Sequence, residues 1–512
     1  MESIRSLLAW QRRAQGWRAD LSAFGAGLVA ALALPPLHAV PVLLAAIPWL
    51  LNLIGTAAGP RAAARRGWYF GFGLHTAGLY WITEAILFEA ERFWWLVPLA
   101  VPAVAGVLAV FVAAAAGMAR LATPGWQRGL ALAGAWTLAD LARQFVASGF
   151  PWNPLGSVWA IPGVLGDVLL QPASLIGTPG LTLITVALAS LPCASRRARV
   201  LGAAVFLAWA GFGIARISQN PPAAPGVKIV LVQGNIPQGQ KWSRQRALDI
   251  FQHYLELTRS ALAALGPEAD SAAVVWPETA SPFLLASDTA AREAIAVAAR
   301  NRPALIGGVR FGDDGRPYNS LFALSEAGTI VWLYDKWHLV PFGEYQPGWL
   351  PIGIQVVPGG GFGRGPGPRT LRLPGMPSVG PLICYEAIFP ASIVESADRP
   401  EWLVNVTNDA WFGNSSGPRQ HLAAARSRAV EEGLPLLRVA NTGITAGFDA
   451  FGHELGRIGL HEAGTLVLPL PGALPATFFA RFGLLVPGAL ALVCFITGVA
   501  IRGCGNEIRP LR

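Results

Sequence analysis

The chain has 512 residues, 53% of them hydrophobic and 13% charged, against roughly 25% charged in ordinary soluble domains. That deficit is concentrated in long stretches and excludes a wholly soluble protein. The net charge of +9 would suit nucleic acid on a soluble domain, but here the basic residues flank apolar runs, where they orient spans and meet anionic headgroups.

Residues 21–59 contain no Asp, Glu, Lys or Arg, and neither do residues 93–118. About 20 apolar residues cross a bilayer core. The pattern predicts eight spans, at about 18–34, 39–57, 67–88, 95–117, 127–146, 169–191, 199–215 and 478–500. Pro35-Pro36 is the only break between the first two. Arg5, Arg12, Arg13 and Arg18 precede that pair and Arg61, Arg65 and Arg66 follow it, so the positive-inside rule needs two crossings between the clusters. Arg120 and Arg128, then Arg196, Arg197 and Arg199, then Arg502, Arg509 and Arg512 keep the same parity, with Arg92 the exception. Both termini are thus expected in the cytoplasm and segment 227–470 on the far side. A cleavable leader would break this parity, and Leu34-Pro35-Pro36-Leu37-His38-Ala39 reads better as a hairpin turn. The expected division is a seven-helix membrane domain over 1–218, an exported domain over 226–470 and a last transmembrane helix over 476–503. Asp140 and Arg143 fall inside a span at i, i+3 and are expected to satisfy each other.

From Gly226 the composition changes. Val227–Gln233 reads as a strand, followed by the turn-rich Gly234-Asn235-Ile236-Pro237-Gln238. Residues 243–265 have helical spacing, with Leu248, Phe251, Leu255, Leu262 and Leu265 on one side. Further strands are predicted at 272–276, 304–309, 379–383, 402–406, 434–439, 445–449 and 464–467, with a hairpin over 318–324 and 329–334. Helices are predicted at 288–300 and 418–432. This alternation argues for a layered α/β domain. Residues 358–368 are too rich in glycine and proline for either element. No helix start or Lys-Ser/Thr follows, so they fail as a phosphate loop and read as a loop able to cover a site.

Cys384 is the only cysteine between residues 227 and 470, so it has no disulfide partner in that domain. Either it packs as a small apolar group or it reacts. Glu278, Lys336 and Cys384 each end a predicted buried strand, and strand ends of such domains project into a shared crevice. A thiol nucleophile, a carboxylate base and a cation for the oxyanion are the parts of acyl transfer. Taken singly, a buried Cys, a surface Glu and a surface Lys remain the blander readings.

Trp276-Pro277-Glu278, Asp335-Lys336-Trp337-His338-Leu339-Val340-Pro341-Phe342-Gly343-Glu344 and Ile383-Cys384-Tyr385-Glu386 resemble the Glu, Lys and Cys motifs of the nitrilase superfamily. More narrowly, they resemble its membrane branch, the apolipoprotein N-acyltransferases. Gln233–Gln238, Asn408–Gly413, Asn441–Thr445 and Gly149-Phe150-Pro151-Trp152 are similar too, so the resemblance covers nearly the whole chain. One departure is Asp140, where the family usually has Glu.

The resemblance implies an α-β-β-α sandwich for the exported domain and a catalytic triad of Glu278, Lys336 and Cys384. It implies phospholipid-dependent transfer of an acyl chain, through a thioester on Cys384, to the α-amine of a diacylglyceryl-cysteine at a lipoprotein N-terminus. The donor would be a glycerophospholipid such as phosphatidylethanolamine, and the place a bacterial inner membrane. Glu344, Glu386 and Tyr385 would support the triad, although Glu386 reads equally well as the cap of the next helix. Trp242, Trp411 and Tyr345 are the preferred substrate contacts, with interface anchoring the alternative for such aromatics. His338 invites a Cys–His dyad, but its neighbours belong to the lysine motif. No cofactor is implied, and no His/Cys/Asp group has metal-ligand spacing along the sequence. A membrane-tethered amidase, in which water resolves the thioester, and a lipid transporter with an exported binding domain are the rival readings.

Overall fold

The structure, a computed structural model, describes residues 15–88, 90–241, 243–348 and 361–501. It divides into two units. One runs to Ser218 and resumes at Arg481; the other is Gln219–Ala480.

The first unit is helical. Trp17–Ala31, Leu43–Gly55, Pro60–Gly78, Val97–Ala119, Trp126–Ala142, Ala173–Ala189, Arg196–Ile217 and Leu485–Ala500 occupy the eight apolar runs. Among the described residues, Trp94–Ala119, Ala173–Cys193 and Arg196–Ile217 are long and apolar enough to cross a membrane, while Val40–Gly55 and Leu485–Ala500 are apolar but shorter. Small residues let the helices approach, as in membrane packing. A Cβ on Gly27 would lie 2.0 Å from Phe70 O, and one on Gly73 2.2 Å from Phe24 O. The third helix begins at Pro60, earlier than the apolar run alone suggests. Pro suits a first helical position, and the buried Arg66 is accepted into the helix because its guanidinium donates to Leu53 O and to Thr56 Oγ1. Asp140 and Arg143 pair at 3.5 Å, both buried.

In the second unit, strands β1 (Lys228–Gln233), β2 (Ala272–Trp276), β3 (Ala304–Phe311), β4 (Pro317–Leu324), β5 (Ile330–Asp335) and β11 (Gly464–Pro469) form one sheet, in the order β11-β1-β2-β3-β4-β5. Strands β6 (Val379–Ile383), β7 (Trp402–Thr407), β8 (Leu436–Ala440), β9 (Thr445–Phe448) and β10 (Glu454–Ile458) form the other, in the order β10-β9-β8-β7-β6.

Alternation along the strands builds the layers. Ile229, Leu231, Ala273 and Val275 face a core shared with Trp402, Val404 and Val406 of the second sheet. Val230, Val232, Val274 and Trp276 face the opposite way, onto Ile250, Phe251, Tyr254 and Ile295 of the helices Ala247–Leu265 and Thr289–Ala298. On the outer side of the second sheet, Leu382, Leu403 and Leu436 meet Leu422, Ala425 and Ala429 of the helix Gly417–Glu432. The result is an α-β-β-α sandwich. The edge strand β10 is absent from the sequence reading; its Glu454 and Arg457 are exposed, and no apolar alternation marks it.

Candidate active site

Parallel pairing of β1, β2 and β3, and of β6, β7 and β8, brings several strand ends to one side of the sandwich. Glu278 lies just past β2, Lys336 directly after β5 and Cys384 directly after β6. All three are buried. Lys336 Nζ sits 3.3 Å from Glu278 Oε1 and 2.9 Å from Glu344 Oε1, one cation between two carboxylates. Burial alone would lower the Lys336 pKa, but the charges of Glu278 and Glu344 outweigh it and hold the ammonium protonated.

Cys384 opens a short helical turn, Cys384–Ile388, with φ 52°. That left-handed backbone is unusual for a residue with a Cβ and is a recurring feature of sharp strand-to-helix turns that present a nucleophile. Burial, with the Glu278 charge, pushes its thiol well above the ordinary range, while Lys336 and the Thr407 hydroxyl pull the other way. The resting group is therefore a thiol, and attack needs a base.

Glu344 is a brace. Its Oε1 accepts from Lys336 and from Asn319 Nδ2 at 3.1 Å, and its Oε2 from the Val340 N–H at 2.8 Å. Glu386 is fully buried and accepts from the Ile383 N–H (2.7 Å), the Trp337 N–H (2.8 Å) and the Tyr334 hydroxyl (2.9 Å). It caps the turn Cys384–Ile388 through the Ile383 N–H and, beyond that, ties the ends of β5 and β6 together. Burial raises its carboxyl to about 7 against these hydrogen bonds. Tyr385 is buried with its ring edge-on to Phe389, at 5.2 Å.

Tyr345 and Trp411 are half-buried, on the loop after Glu344 and on the turn Asp409–Phe412. Trp242 lies outside the described residues, as does the whole segment 349–360 before Gly361. The described part of the glycine-rich loop is tied down, with the Gly365 N–H on Lys336 O at 2.9 Å and the Phe362 N–H on Glu344 O at 2.8 Å. His338 does not form a dyad; it stacks on Phe389 with ring centroids 3.8 Å apart. Burial and the nearby Arg364 and Lys336 charges hold its pKa at about 3.

The structure adds residues the sequence reading did not assign. Asn319, in the middle of β4, donates to Glu278 Oε1 at 2.7 Å as well as to Glu344. Its signal was a polar pair, Asn319-Ser320, interrupting an apolar strand. Lys241 is buried and donates to the Glu278 backbone carbonyl at 2.9 Å. Burial lowers its pKa to about 8, partly offset by Glu278. Asp409 and His421 lie with ligand atoms within 4.8 Å of the Cys384 sulfur and of each other. That spacing could serve a divalent metal, but the Arg438 guanidinium, 2.6 Å from Asp409 Oδ2 and 3.2 Å from His421 Nδ1, already supplies the positive charge there. Although burial opposes it, the Arg438 and His421 charges hold the Asp409 carboxyl at about 2.

Comparison with known proteins adds an independent line. The Carbon-nitrogen hydrolase family model matches residues 228–467, and the Apolipoprotein N-acyltransferase N-terminal domain model matches residues 26–191. The apolipoprotein N-acyltransferase of Rhodopseudomonas palustris is 39% identical, the match covering 97% of this chain and 96% of the relative. That of Bradyrhizobium diazoefficiens is also 39% identical, over 98% and 97%. A carbon-nitrogen hydrolase structure from Helicobacter pylori G27 aligns with 47% of this chain and 88% of its own, at 17% identity and a TM-score of 0.36.

Proposed function

The chain belongs to the apolipoprotein N-acyltransferase family, and from that premise we propose that Glu278, Lys336 and Cys384 transfer an acyl chain from a glycerophospholipid, phosphatidylethanolamine, to the α-amine of a diacylglyceryl-cysteine on a lipoprotein. The enzyme is an acyltransferase. The observation that supports this assignment most directly is the Lys336 ammonium held between Glu278 and Glu344 beside a cysteine in left-handed backbone.

The geometry suggests how each step balances. Both donors to Glu278, Asn319 and Lys336, use Oε1, which leaves Oε2 to take the thiol proton. The thiolate attacks the ester carbonyl carbon, a C–S bond forms, and the oxyanion is met by the Lys336 ammonium and the Tyr385 N–H. The ester C–O bond then breaks, and the lysophospholipid oxygen leaves with the proton from Glu278. In the second half the acceptor amine attacks the thioester. The C–N bond forms, the C–S bond breaks, and Glu278 relays the amine proton to the departing thiolate.

The same reading puts eight crossings in the inner membrane of a bacterium, both termini in the cytoplasm and the catalytic unit on the periplasmic side. That face offers no acyl-CoA, which favours a membrane lipid as donor. Trp242, Trp411 and Tyr345 would contact the substrates. The test is intact-mass measurement after incubation with phosphatidylethanolamine. We expect one acyl mass on Cys384, absent from Cys384→Ala and cleared by a diacylated lipopeptide that gains it as an amide. Label recovered only as free fatty acid would sink the transfer and leave a hydrolase.

A further inference from the structure

Behind Cys384 stands a polar layer that the proposed chemistry does not use. His421, fully buried on the helix Gly417–Glu432, has Nε2 2.9 Å from the backbone carbonyl oxygen of Cys384. Its Nδ1 lies 2.8 Å from Asp409 Oδ1. Asp409 Oδ2 in turn accepts from Arg438 Nη2 at 2.6 Å, and Arg438 Nη1 donates to Asn405 Oδ1. A helix, the turn after β7 and the strand β8 thus converge on one peptide oxygen.

The peptide that follows Cys384 is trans, so its C=O and N–H point in opposite directions from one rigid plane. Fixing the Cys384 oxygen fixes the direction of the Tyr385 N–H. Such a restraint is needed here, because a left-handed residue with a Cβ is strained and relaxes unless its surroundings hold it. We infer that His421, held by Asp409 and Arg438, is a positioning residue that aims the Tyr385 N–H at the tetrahedral oxyanion. This rests on the reading of Cys384 as the acyl carrier.

The same atoms argue against His421 as the base for the thiol. A carbonyl oxygen only accepts, so Nε2 carries a proton and directs it at the backbone. Nδ1 is occupied by Asp409, with Arg438 Nη2 3.2 Å away. Neither nitrogen presents a lone pair to the sulfur, although the three side chains have the composition of a Cys–His–Asp triad.

Two substitutions separate the two ring nitrogens. His421→Gln can place an amide N–H near the Nε2 position, whereas His421→Asn reaches only the Nδ1 position. Full-length wild type and both variants are mixed with dioleoyl phosphatidylethanolamine in detergent, and single-turnover acylation of Cys384 is followed by intact mass. Alkylation of the same thiol by iodoacetamide is measured in parallel. It forms no oxyanion, so it reads the reactivity of the thiol apart from the oxyanion, and the folded fraction of each variant is measured separately by thermal unfolding in detergent. His421→Asn should acylate on the order of 10²-fold more slowly than wild type, as for a misplacement of about 1 Å, with His421→Gln recovering roughly 10-fold of that and alkylation holding within about twofold. Equal acylation by the two variants overturns the inference. So does alkylation that falls in step with acylation, which would make His421 the base of the thiol. A wild type that gains no acyl mass on Cys384 would instead sink the reading on which the inference rests.

Discussion

Glu386 and Lys241 show how burial separates a clamp from a tuned charge. Glu386→Ala strips the Ile383 and Trp337 N–H groups and the Tyr334 hydroxyl of their acceptor. Each buried donor left unpaired costs about 1–3 kcal/mol, so the loss should be roughly 3 kcal/mol or more. Thermal unfolding in detergent measures it; an inactive Glu386→Ala with wild-type stability would show that the side chain acts on the reaction and is no clamp. Lys241 differs, because burial lowers its pKa from 10.5 to about 8. Below about pH 8 the lysine is charged in both the folded and unfolded states, and the burial penalty is fully present. Between about 8 and 10.5 the unfolded chain holds the proton more tightly, so stability rises with pH across that window. Lys241→Met should flatten the rise in unfolding midpoint between pH 8 and 10, and an unchanged slope would refute it.

At the scale of elements, much of the site was legible because strand ends are readable. Glu278 and Cys384 follow short apolar runs that are buried strands. The run before Lys336 is instead the sheet's edge strand, with Ile330, Val331 and Trp332 exposed rather than buried as expected. The layered order brings all three ends together. The rest was hidden for physical reasons. Asn319 sits mid-strand, where only the neighbour across the sheet explains a polar side chain. His421, Asp409 and Arg438 come from three elements whose meeting depends on the pairing of β6, β7 and β8. β11 pairs with β1 from the far end of the domain, and no local pattern encodes such a partner. One close approach turns this topology into a test. A Cβ on Gly307 of β3 would lie 2.1 Å from Pro277 O and 2.8 Å from Glu278 Cα. Gly307→Ala must therefore push the Glu278 turn outward. Cys384 acylation should slow by on the order of 10²-fold per ångström of displacement. Acylation at the wild-type rate would mean that the position of Glu278 does not set the rate.

For the whole molecule, the distribution of charge makes the strongest claim about where the reaction happens. Arginines gather before the first helix and around the loops near residues 61–66, 120–128 and 196–199, while the loops of opposite parity carry almost none. Under the positive-inside rule those clusters belong in the cytoplasm, and the proposed topology then sends Gln219–Ala480 to the other face. On the proposed topology, a thioester on Cys384 would draw its acyl group from a lipid and deliver it to an acceptor anchored in the same bilayer. Cysteine accessibility tests the assignment directly. In a chain with Cys384 changed to Ala and the other three cysteines to Ser, Ser195→Cys and Glu326→Cys each give one exposed thiol, the first before the helix Arg196–Ile217 and the second in the turn between β4 and β5. In spheroplasts an impermeant maleimide should label Glu326→Cys and leave Ser195→Cys untouched until the membrane is lysed. The reverse pattern would place the catalytic unit in the cytoplasm, with acyl-CoA within its reach, and the argument for a phospholipid donor from its location would fail.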